Sequence, residues 1–254
     1  MVKVKFESIY NELRKEILEG IYNDTMLLPT EMSLVERFAS SRNTIRRAIQ
    51  QLNDEGFVYS VKGRGVVILE HAKVDQMFFR MGNFQGLKAL RSEDKVHTET
   101  IVNKFEEITV SEKLANEISF LYGERAYYIE RIRKINGKAM MYDCSYFKKN
   151  IVQKLNPIIA QGSIYEYIDN NMDFRIAASK TIMKVETATK KDLSLLDLGG
   201  NNCVGEMENI VYTDMGKLFE HTRIRYIPHE YALVTFSQRR KEVTEFEAST
   251  TPIT

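Results

Sequence analysis

The chain has 254 residues, of which 43% are hydrophobic and 28% are charged, and its formal net charge at pH 7 is +1. This composition excludes a disordered chain, which would be less hydrophobic, and it leaves room for two folded domains. The first residues contain no apolar signal-peptide core, and no apolar run reaches the roughly 18 residues that cross a bilayer. We therefore expect neither secretion nor contact with a membrane, but a cytoplasmic protein.

Cysteine and histidine are scarce and scattered. Cys144 and Cys203 lie far apart in sequence, and none of the four histidines stands at a metal-ligand spacing from either of them. No glycine-rich phosphate loop and no Ser/His/Asp arrangement stands out. The sequence therefore predicts no metal, no cofactor and no catalytic residue.

The first seventy residues predict three helices in close succession. Apolar residues recur at helical spacing over 6–17 and predict a first helix that ends at Gly20. Thr30 is a suitable N-cap for a second helix, and 39–40 leaves room only for a tight turn. Ser41 then caps a third helix.

The third predicted helix carries base-reading chemistry on its outer face. An apolar stripe over 45–52 is buried, and the residues that it leaves outside are Arg42, Asn43, Arg46, Arg47 and Gln50. Between 37 and 53 there are four arginines and no acidic residue. Such a patch suits phosphate neutralisation, and arginine and asparagine can form bidentate contacts with guanine and adenine.

A hairpin with a basic tip follows. Gly56 ends the third helix, and 57–69 alternates apolar and polar residues around a turn that contains Lys62, Gly63 and Arg64. A basic helix beside a hairpin can also be a solvated face on an ordinary α/β core. The order of two capped helices, a tight turn, an acid-free face and a basic hairpin favours a winged helix-turn-helix that binds DNA.

The rest of the chain predicts an antiparallel sheet with helices on one side. The predicted strands are 98–105, 126–135, 138–147, 176–186, 203–213, 218–226 and 231–238, and the predicted helices are 111–121, 163–170 and 191–196. Asn136-Gly137 is a strong hairpin signal between two of these strands. The fold class is therefore α+β, with a DNA-binding domain at 1–70, a linker at 71–84, a second domain at 85–240 and a polar tail at 241–254.

Charged residues converge on one face of the predicted hairpin. Alternation along the strands places Arg131, Arg133, Asp143 and Ser145 on the same side of the sheet. Such residues can simply be exposed charge pairs on a half-solvated sheet. The polar segment 219–226 and the segment that begins at Ser163 favour a ligand site instead.

The segment 27–69 resembles the GntR family of bacterial transcription regulators, whose pattern includes L-P-S-E-R, S-R-x-T-V-R-x-A-L, E-G and G-x-G. The matching residues are Leu28, Pro29, Glu31, Ser41, Arg42, Thr44, Arg46, Ala48, Leu52, Glu55, Gly56, Gly63 and Gly65. Met32 departs from the pattern, because the family often has a DNA-contacting arginine there. The resemblance implies that Arg42 and Arg46 read bases in the major groove. It implies further DNA contacts from Thr30, Ser41, Asn43, Thr44, Arg47 and the wing tip, which comprises Lys62, Gly63 and Arg64.

Residues 80–240 resemble the UTRA effector domain of the HutC-like branch of this family, which has a chorismate-lyase-like fold. Branch members bind a phosphorylated sugar, with the phosphate at a helix N-terminus that corresponds here to Asn83, Phe84 and Gln85. The resemblance implies that the other effector-binding residues are Arg131, Arg133, Asp143, Ser163, Glu220 and Tyr226. In this chain Asp143 replaces the commoner glutamate, and His221 stands where tyrosine is usual.

The resemblance implies a homodimeric repressor that binds a palindromic operator and is released by a small phosphorylated sugar. Segments 5–20, 162–168 and 195–200 are most similar to the trehalose operon repressors of low-GC Gram-positive bacteria, which implies trehalose 6-phosphate as the effector. A phosphorylated amino sugar of the glucosamine 6-phosphate type is the alternative. An architectural DNA-binding protein and a chorismate-lyase-like enzyme are more remote, since the sequence offers no acid/base pair at a convincing spacing.

Overall fold

A computed structural model of the protein describes residues 6–70 and 97–228, the backbone of 79–80 and 233–234, and residue 237. These residues fall into two compact units, which we call the winged unit (6–70) and the sheet unit (97–228). Two short strands, β3 (Phe79–Arg80) and β10 (Leu233–Val234), lie outside these ranges. Most of the predicted linker at 71–84 and the whole predicted tail at 241–254 fall outside the described residues.

The winged unit has the predicted order of three helices and a hairpin. Its elements are α1 (Phe6–Leu18), α2 (Glu31–Phe38), α3 (Arg42–Asp54), β1 (Val58–Val61) and β2 (Gly65–Ile68). Ile9, Leu13, Leu34, Ile45 and Leu52 are fully buried and bring the three helices together around one core. The helical spacing of these residues is the reason why one stripe of each helix is buried and the other is left to solvent.

A left-handed residue makes the turn between α2 and α3 short. Ala39 has φ 44° and ψ 42°, and its N–H donates to the carbonyl of Glu36. The N–H of Ser40 reaches back to the carbonyl of Val35 over 3.2 Å. This pattern closes the C-terminus of α2 and allows α3 to begin after only three residues.

The sheet unit contains six antiparallel strands in the order β4-β5-β6-β9-β8-β7. The strands are β4 (Thr98–Thr109), β5 (Arg125–Ile135), β6 (Lys138–Lys148), β7 (Ile176–Thr187), β8 (Cys203–Thr213) and β9 (Leu218–Tyr226). Asn136 and Gly137 form the predicted turn between β5 and β6, with φ 49° and 82°. The helices are α4 (Glu112–Ala115), α5 (Pro157–Gln161), α6 (Ile164–Asn171) and α7 (Lys190–Leu195).

The prediction that the helices lie on one side of the sheet was wrong. Ile164 and Ile168 of α6 pack against Ile129 of β5 on one face. On the opposite face, the Lys191 ammonium of α7 lies 2.7 Å from the carboxylate of Glu130, the next residue of β5. Since consecutive strand residues point to opposite faces, the two helices cover different sides of the sheet.

The helix predicted over 111–121 was wrong in its extent. Only Glu112–Ala115 is helical, with Ser111 as the N-cap. The N–H of Ser119 donates to Nδ1 of His221 over 3.1 Å instead of to a helix carbonyl. Packing against β9 therefore outweighs the helical pattern in this segment, and the following Phe120 is buried.

Two further differences concern short elements. Helix α5 was not predicted, although Asn156 caps it and Pro157 occupies its first turn, a position that suits proline. Of the strand predicted over 231–238, the structure describes only β10 as strand, and most of the rest of that range lies outside the described residues.

Candidate functional site

The outer face of α3 is presented as predicted. The Thr44 N–H donates to the Ser41 hydroxyl over 3.2 Å, so the cap fixes where α3 begins. Arg42, Asn43, Arg46 and the following Arg47 are all exposed. The first turns of α3 therefore offer donors and acceptors to a partner outside the winged unit.

The four arginines of the predicted basic patch are not equivalent. Nε of Arg46 donates to both carboxylate oxygens of Glu31, over 3.0 and 2.9 Å. The guanidinium of Arg47 lies 4.2 Å from the ring centroid of Phe6. Arg42 has no such partner among the residues that the structure describes. Arg42 is therefore the arginine of α3 that is free to meet an incoming phosphate or base.

Arg37, the first arginine of the segment 37–53, is paired with acidic residues outside that segment. Arg37 lies 2.7 Å from the carboxylate of Glu12 and also pairs with Glu16, both on α1. The Arg37 guanidinium therefore links α2 to α1, and its positive charge is paired with carboxylates of the same unit. Sequence reasoning missed these pairs because the acidic partners precede the segment by more than twenty residues.

The wing tip is exposed. Lys62, Gly63 and Arg64 lie in the turn between β1 and β2, and the Arg64 N–H donates to the carbonyl of Val61. Gly63 has φ +81° and open space around the position of a Cβ atom. On α2, Thr30 is the N-cap as predicted, and the exposed side chain of Met32 occupies the variant position.

In the sheet unit, the structure brings Arg131, Arg133 and Asp143 together. Nε of Arg131 lies 2.9 Å from Oδ1 of Asp143, and Nε of Arg133 lies 2.8 Å from Oδ2. The Ser145 hydroxyl donates to Oδ1 over 3.2 Å. The predicted sharing of one sheet face by these four residues is confirmed.

Burial and ion pairing act in opposite directions on the pKa values of Asp143 and Arg131. Asp143 is fully buried, which by itself would raise its pKa, but the charges of Arg131 and Arg133 hold the pKa below its ordinary value. Burial lowers the pKa of Arg131, while the attraction of Asp143 opposes that shift. The carboxylate stays ionised because two cations contact it directly.

Glu220 lies beside this cluster in a different state. It is buried on β9, and Oε1 accepts a hydrogen bond from the Thr222 hydroxyl over 2.6 Å. Burial raises the pKa of Glu220 to about 7, although the hydroxyls of Thr222 and Tyr165 and the charge of Arg131 act in the opposite direction. The site therefore combines an ionised carboxylate with a carboxyl group that changes charge near neutral pH.

The remaining predicted effector residues differ in their placement. Tyr226 is buried and stands opposite Met141, which is also opposite Arg133, so Tyr226 shares the face of the arginines. Ser163 is exposed, and its hydroxyl accepts the N–H of Glu166 as the N-cap of α6. Asn83, Phe84 and Gln85 lie outside the described residues.

Two neighbours of the cluster were not among the predicted site residues. Thr222 faces Glu220 from the same strand, and the period of two along β9 could have indicated it. Tyr165 interacts with Glu220 from α6. Its position depends on how α6 packs on the sheet, which no local pattern shows.

The described residues form neither a metal-binding cluster nor a membrane-spanning helix. No group of three or more His, Cys, Asp or Glu side chains there is arranged to hold a metal ion. No helix described by the structure is long and apolar enough to cross a membrane.

Comparison with known proteins decides the family. Residues 93–232 match the UTRA domain, and residues 5–68 match the bacterial regulatory proteins of the gntR family. The chain belongs to the GntR family, in the HutC-like branch that carries a UTRA domain. It is therefore a DNA-binding transcriptional regulator and not an enzyme.

Individual relatives agree with this assignment to the GntR family. The chain is 29% identical to the transcriptional regulator TreR of Bacillus subtilis over 237 residues, which cover 93% of this chain and 98% of TreR. The structure of the TreR effector-binding domain covers 56% of this chain and 99% of its own, with 29% identity and a TM-score of 0.51. The structure of the possible regulator YydK, also from Bacillus subtilis, has 23% identity and a TM-score of 0.72 over 91% of this chain and 99% of its own, and supports the fold.

Proposed function

We propose that this GntR regulator is a cytoplasmic repressor of a sugar-utilisation operon and that trehalose 6-phosphate releases it from its operator. The cluster of Arg131, Arg133 and Asp143 beside Glu220 is the observation that carries the effector part of the proposal. Buried arginines offer donors to the oxygens of a sugar phosphate, and a carboxyl group suits sugar hydroxyls. The similarity along 93% of the chain to TreR, the trehalose repressor of Bacillus subtilis, supports trehalose as the sugar.

The DNA part of the proposal depends on α3 and the wing. Ser41 and Arg42 stand at the exposed N-terminus of α3, where a recognition helix contacts base edges. Lys62 and Arg64 extend from the wing tip. We propose the major groove for α3 and the minor groove for the wing, with Thr30, Asn43, Thr44, Arg46, Arg47 and Gly63 as further contacts.

We further propose that the protein acts as a homodimer. A palindromic operator has two equivalent half-sites, and a two-fold symmetric dimer presents two identical winged units to them. Sedimentation of the protein with a palindromic duplex should give two chains per duplex. One chain per duplex would contradict the dimer.

The experiment that tests the effector is an operator titration. Fluorescence anisotropy of a labelled operator should show release when trehalose 6-phosphate is added, and no release by trehalose, which lacks the phosphate. Glucosamine 6-phosphate is the second probe, because its phosphate and its hydroxyl groups can contact this cluster in the same ways as those of trehalose 6-phosphate. Release by glucosamine 6-phosphate alone would replace trehalose 6-phosphate as the effector, and release by neither would contradict the effector proposal.

A further inference from the structure

The geometry around Asp143 points to a role other than contact with the effector. Its side chain has 0% exposure, and its two oxygens already accept from Arg131, Arg133 and Ser145 over 2.9, 2.8 and 3.2 Å. These three donors occupy three of the roughly four acceptor sites of the carboxylate, and because the side chain has no exposed surface, a sugar hydroxyl cannot reach the remaining one.

The two arginines are held in the same manner. Each contacts Asp143 through Nε, and neither forms another side-chain hydrogen bond or ion pair within the described part of the chain. The side chains are 7% and 19% exposed, so their conformations are restricted by packing. A guanidinium that is held at Nε keeps the N–H groups of both terminal nitrogens available as a planar fork.

We propose that Asp143 is a positioning residue, which holds Arg131 and Arg133 at Nε so that both terminal forks face the effector. This inference rests on the proposed function, since it assigns the two arginines to an effector. It also defines the chemistry of the bound group at that point. The forks donate hydrogen bonds and accept none, so the effector presents acceptor oxygens to them, as a phosphate or the oxygens of a sugar do.

A double-mutant cycle on effector affinity tests the proposal. The variants are Asp143→Asn, Arg133→Gln and the combination, and calorimetry with trehalose 6-phosphate measures the dissociation constants. If Asp143 acts through the arginines, Asp143→Asn should weaken binding at least about fivefold more in the wild-type background than in Arg133→Gln. Equal effects in the two backgrounds would show direct contact with the effector and overturn the proposal.

Arg133→Lys supplies a matched variant that keeps the charge and leaves Asp143 with a counter-charge. Lysine has a single nitrogen, which cannot both hold Asp143 and present a planar fork. We expect Arg133→Lys to lose affinity to the same extent as Arg133→Gln. Near wild-type affinity in Arg133→Lys would mean that charge alone suffices, and the positioning role would be refuted.

A measurement without effector separates this proposal from the proposed function. In the unliganded wild-type protein, the Nε–H groups of Arg131 and Arg133 should give NMR signals that exchange slowly with water. Arg133→Lys should remove the Nε–H signal of Arg133, so that the remaining signal can be assigned to Arg131. If neither trehalose 6-phosphate nor glucosamine 6-phosphate binds, the proposed effector is contradicted. Slowly exchanging Nε–H signals would still support the positioning role in that case. Rapid exchange of these signals would contradict the positioning role.

Discussion

At the scale of the residue, the structure separates side chains that share a charge but not a role. Among the residues that the structure describes, Arg42 has no side-chain partner, Arg46 is held by Glu31, and Arg37 joins two helices. These differences arise from contacts between elements, so the number of arginines in a segment overstates the charge that DNA meets. Substitutions at single residues should therefore have unequal effects on operator binding.

Arg42→Ala should weaken operator binding by about 1–3 kcal/mol and relax the base preference at one position. The reason is that Arg42 is exposed at the start of α3 and its guanidinium contacts no side chain within the described ranges 6–70 and 97–228. Anisotropy titrations with the operator and with single-base variants measure both effects. Arg175→Ala, which removes an equal charge from an exposed position in the sheet unit, is the control. Unchanged affinity in Arg42→Ala would refute the assignment.

Glu31→Gln should strengthen binding to non-operator DNA and steepen its salt dependence. The substitution removes the charge that competes with phosphate for Arg46, and each additional phosphate contact changes the log–log salt slope by about −0.9. Affinity for a random duplex over a series of salt concentrations gives the slope. A slope equal to that of the wild type would show that Glu31 does not change the number of phosphates that the protein contacts.

Glu220 should make the stability of the unliganded protein depend on pH. Its pKa is raised from 4.5 to about 7, so the folded state binds more protons than the unfolded state between these values, and the free energy of unfolding falls as pH rises through this interval. The fall is about 3 kcal/mol in size. Urea unfolding at a series of pH values should show this loss in the wild type and in Glu36→Gln, an exposed control, but not in Glu220→Gln. An identical pH profile for Glu220→Gln would contradict the prediction.

At the scale of the element, the hydrophobic pattern predicted most strands and the three helices of the winged unit. Strands β8 and β9 agree with the predicted 203–213 and 218–226 because their turn residues are local signals. The failures have tertiary causes, since His221 accepts the Ser119 N–H and shortens α4. The arginine cluster followed from strand alternation, whereas the saturation of Asp143 and the approach of Tyr165 depend on packing that a single sequence does not contain.

The turn between α2 and α3 offers a test at this scale. Ala39 adopts a left-handed conformation, which costs an L-residue with a Cβ atom roughly 1–2 kcal/mol and costs glycine little. Ala39→Gly should therefore stabilise the winged unit, by less than about 1 kcal/mol after the greater freedom of the unfolded chain is subtracted. Thermal unfolding measures the change, and Ala178→Gly, at an exposed and regularly paired position of β7, should instead be destabilising. A loss of stability in Ala39→Gly would show that the turn is not strained.

At the scale of the whole molecule, the proposed switch joins two sites on different units of one chain. Thermodynamic linkage requires that an effector that weakens operator binding by some factor is itself bound more weakly by the same factor when the operator is present. This reciprocity holds whatever structural change transmits the effect. It therefore provides a test that needs no structure of the complex.

We expect a coupling factor of about 5–150 between trehalose 6-phosphate and the operator. Calorimetry with and without a saturating operator duplex gives the factor as a change in effector affinity. Anisotropy with and without effector gives the same factor as a change in operator affinity. Arg42→Ala should leave effector affinity of the free protein unchanged, and Arg133→Gln should leave operator affinity of the unliganded protein unchanged. A coupling factor of 1, measured from either side, would show that trehalose 6-phosphate does not act on operator binding.

Strand β5 cannot gain or lose a single residue without exchanging the side chains on its two faces. It turns Arg131 toward the effector cluster and Glu130 toward Lys191 on the opposite face. Removing or adding one residue within β5 would exchange these faces and place a glutamate among the site residues while an arginine meets a lysine. Libraries that insert or delete residues in this regulator are therefore best confined to exposed turns such as 214–217, where a change in length leaves both faces in register.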